Sequence, residues 1–117
     1  MKDYYHYTNA VGLQAIKSSG YIRQSKQLDA GDDAYFGTGV YLTTMPPTAG
    51  KRNIAATCWG AGSVDAVIKA GRVDYVICVS LPEEEVHEAV GTKRDVYLYV
   101  KGDLVLKKYK CTDLKVP

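Results

Sequence analysis

Apolar and polar positions change period several times along the chain, and each change predicts an element. Tyr4-Tyr5-His6-Tyr7 is an aromatic run with strand propensity, and Thr8 or Asn9 behind it is a residue type that caps helix N-termini. A helix near 10–19 follows, with Ala10, Leu13 and Ile16 on its inner face and Gly20 where a left-handed C-terminal residue belongs. Residues 21–25 read as a short strand, and the polar residues 26–33 predict a surface loop of the kind that serves as a lid beside a cleft. Then Gly37-Thr38-Gly39 feeds Val40-Tyr41-Leu42-Thr43, whose β-branched and aromatic composition predicts a strand. The two glycines allow a positive φ or the close approach of another molecule, which leaves the Tyr41 ring open to a flat ligand; a tight hairpin with a core tyrosine is the plainer alternative.

Beyond Pro46-Pro47, Thr48 is placed to cap a helix over 49–59 in which Ile54, Cys58 and Trp59 share a face, and Gly60 and Gly62 end it. A shorter helix is expected from Ser63, with Val64, Val67 and Ile68 at helical spacing before Gly71. Residues 73–81 are apolar on both faces, which predicts a central strand closed by Pro82. Residues 83–88 form an acidic run read as surface; His87 within it has no second His or Cys at ligand spacing, so no metal is implied. The alternation over 95–100 puts Val96, Leu98 and Val100 on one face, Lys101-Gly102-Asp103 turns the chain, and 104–111 reads as a last strand with a lysine-rich edge. Strands and helices in this mixture predict an α+β fold.

Composition narrows the picture. A chain of 117 residues, 46% apolar and 24% charged, fits a single domain over 1–117 with a continuous core, expected to be a monomer. Ten tyrosines against one Phe and one Trp suit the walls of a cleft, where an apolar body packs and a hydroxyl reaches out. Cys58, Cys78 and Cys111 are odd in number and widely spaced, which suits buried free thiols in a reducing compartment. The N-terminus lacks an apolar leader and no apolar run approaches the ~18 residues of a membrane span, so a soluble, unprocessed chain with no membrane partner is expected. A net charge of +2 does not argue for nucleic acid, although residues 91–117 carry seven Lys or Arg against three Asp.

Three segments together carry a resemblance. Tyr5-His6-Tyr7-Thr8, Gly37-Thr38-Gly39-Val40-Tyr41-Leu42-Thr43 and Arg94-Asp95-Val96-Tyr97-Leu98-Tyr99 resemble the His-Tyr-Asp signature branch of the ADP-ribosyltransferases, small domains found in toxins and effectors. The resemblance implies an ADP-ribosyltransferase-like fold of two small antiparallel sheets with flanking helices, split by a cleft that binds NAD as co-substrate. It implies that His6 hydrogen-bonds the adenosine ribose, that the Tyr7 main chain holds the nicotinamide carboxamide, and that Tyr41 stacks on the nicotinamide ring. Asp95 becomes the catalytic carboxylate, with Asp103 and Asp113 as rivals nearby, and Thr8, Gly39 and Trp59 join the cofactor contacts, Trp59 being equally a core residue. Asp at the third position is one methylene shorter than the Glu usual in related branches, so its reach depends on how close its segment lies.

The activity implied is mono-ADP-ribosyl transfer to an acceptor, either a macromolecule or a small molecule. Alternatives are an NAD glycohydrolase and an inert module that binds NAD, ADP-ribose or nucleic acid through its tyrosines and basic C-terminal segment. Action in the cytoplasm and delivery as an effector are both compatible with the sequence.

Overall fold

The computed structural model describes residues 1–24, 38–89, 92 and 94–117. In chain order its elements are β1 (Lys2–Thr8), α1 (Ala10–Ser19), β2 (Tyr21–Ile22), β3 (Val40–Leu42), α2 (Lys51–Trp59), α3 (Val64–Lys69), β4 (Tyr75–Leu81), β5 (Val86–Glu88), β6 (Tyr97–Tyr99), β7 (Leu104–Val105) and β8 (Cys111–Lys115). The expected loop over 26–33 and the glycine Gly37 lie outside the described residues.

β1 is extended because its aromatic side chains serve two cores. Tyr4 enters one cluster with Ile77, Val79 and Leu81, while Tyr7, on the opposite face, enters another with Ile54, Val73 and Val76. β4 lies between β1 and β8 in an antiparallel sheet, with both faces covered as its apolar sequence predicts. A second antiparallel sheet has the order β3-β6-β5, and β2 pairs with β7 in a third. Two sheets were expected; the extra ribbon arises because the chain after α1 pairs with the segment after the turn at Gly102. Among the described residues, the two larger sheets share one backbone rung, where Tyr5 N donates to Thr43 O (2.8 Å) and Thr43 N donates to Tyr5 O (3.0 Å).

Helix α1 is set by its ends. Asn9 Oδ1 accepts from Gly12 N at 2.7 Å, and Gly20, at φ 83°, returns its N–H to Ile16 O. Its buried stripe is narrower than expected, for Ile16 is buried and Leu13 partly so, but Ala10 is exposed. Thr48 does not cap α2. Pro46 and Pro47 start a 3-10 turn over Pro47–Ala49, and Gly50, at φ 91°, breaks that turn and restarts the chain as α2. Similarly, Ser63 makes no side-chain cap, and α3 grows directly out of a 3-10 turn.

The C-terminal half departs most from its pattern. The acidic run is not all surface: Glu83–Glu85 forms a 3-10 turn, Val86–Glu88 becomes β5, and Glu85 accepts from the Tyr109 hydroxyl at 3.1 Å. β6 is central in its sheet and covered on both sides, with Val96 and Leu98 in a small third cluster and Tyr99 in the first; Val100, expected inside, is exposed. The last predicted strand is two. β7 pairs with β2, a 3-10 turn at Leu106–Lys108 redirects the chain, and β8 pairs with β4, since one straight strand cannot serve partners in different sheets. The three cysteines are free thiols, half-buried rather than fully buried.

Candidate functional site

β3 is the meeting point of the candidate residues. His6 Nδ1 lies 2.9 Å from the Tyr41 carbonyl oxygen. A carbonyl only accepts, so Nδ1 carries the proton and donates, leaving Nε2 of a neutral ring as an acceptor. Burial lowers the His6 pKa and outweighs the opposing pull of that carbonyl, so the ring is neutral at ordinary pH.

The rung at Tyr5–Thr43 also orients Tyr7. In a strand, main-chain groups of alternate residues point to the same side, so the Tyr7 N–H and C=O face β3 as those of Tyr5 do, rather than β4. The pairing of β1 with β3 is an isolated bridge and does not continue as a ladder, and the Tyr41 carbonyl is turned to the imidazole instead. The Tyr7 ring enters the second core, where its hydroxyl donates to Met45 O at 2.7 Å and burial raises its pKa. Tyr41 is half-buried, and its ring packs on the cluster of Ala89, Val96 and Leu98.

Asp95 reaches the same strand from the other side. It precedes β6 rather than starting it: Val96 N donates to Arg94 O at 3.0 Å, a three-residue turn centred on Asp95. Its carboxylate docks on the end of β3. Thr44 N donates to Oδ1 at 2.8 Å, the Thr43 hydroxyl donates to Oδ1 at 3.2 Å, and the Thr44 hydroxyl makes a short hydrogen bond to Oδ2. Thr43 is fully buried, and its hydroxyl also accepts from Met45 N at 3.2 Å. Residues 41–44 thus hold His6 through a carbonyl and Asp95 through two threonines.

The remaining candidates are placed less centrally. The Thr8 hydroxyl lies over Gly12 in the first turn of α1, where a side-chain carbon on Gly12 would collide with it. Gly39 has no positive φ; its missing side chain makes room for β6, since a Cβ there would stand 2.9 Å from Tyr99 O. The close approach its glycine permits is therefore made by the protein itself. Trp59, half-buried, packs against the second core. Beside it, burial pushes the Cys58 thiol up to about 12; a hydrogen bond with the Thr43 hydroxyl pulls the other way, the Asp95 charge adds to the rise and the Arg94 charge opposes it. Asp103 accepts from Gln24 N at 2.9 Å, and Asp113 faces Lys17 at 3.7 Å, so both rival carboxylates are engaged with other parts of the chain. Thr43, Thr44 and Cys58 had no place in the sequence-derived site. For Thr43 a signal existed, since strand alternation puts it on the Tyr41 face, but nothing local to Thr44 announces its partner.

Residues 4–98 match the family model described as HYD1 signature containing ADP-ribosyltransferase. The chain belongs to this family. It is a toxin-type ADP-ribosyltransferase domain, as the resemblance in its three motifs implied. The matched span takes in His6, Tyr41 and Asp95 and ends before Asp103 and Asp113. No curated protein and no solved structure matches the chain. Among the described residues of this ADP-ribosyltransferase domain, no helix is long and apolar enough to cross a membrane, and no group of three or more His, Cys, Asp or Glu side chains is arranged around a metal site.

Proposed function

We propose that this domain is an NAD-dependent mono-ADP-ribosyltransferase, with His6, Tyr41 and Asp95 acting together in a cleft between the two larger sheets. The observation that carries the reading is the convergence of His6 and Asp95 on β3, one bonded to the Tyr41 carbonyl and the other to Thr43 and Thr44. The chemistry of these groups fits a dinucleotide. A neutral imidazole with a bare Nε2 accepts from a sugar hydroxyl, the Tyr41 ring offers an aromatic face to a planar heterocycle, and the Tyr7 main-chain groups on the β3 side suit a carboxamide.

NAD supplies a ribose whose bond to nicotinamide leaves behind positive charge when it breaks. A carboxylate that accepts from the ribose 2′-hydroxyl stabilises that developing charge more than the ground state, and one preorganised group of this kind contributes about 2.7–4 kcal/mol. Asp95 is the carboxylate assigned to it. It lies inside the family match and at the end of the Tyr41 strand, whereas Asp103 and Asp113 lie outside that match. Thr8, Gly39 and Trp59 are the further cofactor contacts this reading carries over, with Gly39 also making room for β6 and Trp59 packing on the second core.

The test is nicotinamide release from NAD by the purified protein beside Asp95→Ala and Tyr41→Ala. Release by the wild type and loss in both variants is expected; undiminished turnover by Asp95→Ala overturns the assignment of that carboxylate. Adenine-labelled NAD then distinguishes transfer from hydrolysis: label on an acceptor supports the transferase, and label confined to free ADP-ribose makes the domain a glycohydrolase.

A further inference from the structure

We infer that Thr44, assisted by Thr43, is a positioning residue that sets the direction in which the short Asp95 side chain presents its one unfilled acceptor position. This rests on the assignment of Asp95 as the catalytic carboxylate. A single methylene links the Asp95 carboxyl to the backbone, and that backbone lies in a three-residue turn rather than in a ladder of strand hydrogen bonds. Position along a strand therefore does not aim the carboxylate; its hydrogen bonds do.

A carboxylate has about four acceptor positions. Oδ1 takes two donors, Thr44 N and the Thr43 hydroxyl, and Oδ2 takes the Thr44 hydroxyl. Among the described residues no other side chain fills the one position that remains, on Oδ2 beside the Thr44 hydroxyl. Neither threonine is free to turn its proton elsewhere without loss. The Thr43 hydroxyl is fully buried, accepts from Met45 N and donates to Asp95 with the Cys58 thiol also beside it, whereas the carboxylate offers Thr44 nothing but lone pairs. Thr44 is the more informative of the two because it holds both oxygens at once, through its amide and through its hydroxyl, and so fixes the plane of the group as well as its place. The Asp95 charge is felt by Cys58 from α2 and Tyr97 from β6, and it adds to the rise in the pKa of each.

Misplacing a reacting group by about 1 Å costs on the order of a hundredfold in rate. Thr44→Val keeps the shape and the amide donor but removes the hydroxyl, so the expected result is a 10–100-fold fall in kcat for nicotinamide release. KM for NAD should stay within about threefold, because the carboxylate acts on the transition state. Thr44→Ser restores the hydroxyl and is expected to recover most of the lost rate. Thr44→Ala removes the hydroxyl without a branched methyl and serves where the valine variant is unstable, with Tm read for every variant. In an Asp95→Asn background Thr44→Val is expected to cost nothing further. An unchanged kcat in both hydroxyl-free variants, a serine variant as slow as the valine one, or full additivity with Asp95→Asn overturns the inference while leaving Asp95 catalytic. Undiminished turnover by Asp95→Ala instead removes the assignment on which the inference stands, and both fall together.

Discussion

The two larger sheets are built on different terms. The sheet β1-β4-β8 has seven-residue strands at β1 and β4, paired through seven consecutive registers from Lys2–Leu81 to Thr8–Tyr75, and it carries core on both faces. The sheet β3-β6-β5 has three-residue strands, and its link to the chemistry runs through side-chain bonds to Tyr41, Thr43 and Thr44. The long sheet holds itself by ladder and burial. The short one is held by what packs around it, which makes it the region where small substitutions reach the site. His6 and Tyr7 enter the proposed site from β1, but core positions of the long sheet away from them are expected to govern stability rather than activity, and variants in the two sheets test this.

The largest effect is expected from Leu81→Ala on β4, a fully buried side chain in the first core. Emptying such a position costs about 2–5 kcal/mol. Denaturant unfolding should register this, while the kcat of the protein that remains folded is unchanged; a large loss of kcat would show that the long sheet also tunes the site.

Asp95→Asn should behave in the opposite way. Nicotinamide release falls on the order of 10²–10³-fold, while stability changes by only about 1 kcal/mol, the scale of an altered hydrogen bond. A destabilisation as great as that of Leu81→Ala would mean that Asp95 is chiefly a structural tie between β3 and β6.

Gly39→Ala tests the seam between β3 and β6. Its new carbon would meet the Tyr99 carbonyl at 2.9 Å and Leu98 at 3.2 Å, so one strand must shift, at a cost of about 1–3 kcal/mol. Because β3 holds both His6 and Asp95, kcat should fall along with stability. Loss of stability with full activity would indicate that the shift is absorbed by β6 alone.

The smallest effect concerns pH. Burial depresses the His6 pKa below the ordinary value of about 6.5, so in the window beneath 6.5 the unfolded chain binds a proton that the folded one refuses. Stability contributed by the neutral ring is complete above that window and is lost as pH falls through it. In thermal unfolding from pH 8 down to pH 5, His6→Gln should lose less Tm than the wild type; equal losses would show that His6 is no more buried from protons than in the unfolded chain.

How much of this was legible in the sequence varied with the distance over which each feature is decided. The α1 signals Asn9 and Gly20 act on groups within one turn, and they mark its ends as the pattern predicts. The two-sided apolar run of β4 requires cover on both faces whatever the neighbours are, and it became a central strand. The family too was legible, because its three motifs are local strings. The thirdmost strand of the small sheet, β5, was not, since an acidic segment gains strand pairing only from β6 lying beside it. Nor was the break between β7 and β8, which follows from two partners far apart in the chain.

What the sequence by itself determined, then, is the set of elements whose hydrogen bonds and burial close locally, together with the residue types available for chemistry. Tertiary structure alone decided their company. The bonds from Thr43 and Thr44 to Asp95 cross 52 and 51 positions of chain, and that from His6 to Tyr41 crosses 35. No period or propensity encodes such pairs, because each depends on where a second segment comes to rest after the cores have packed.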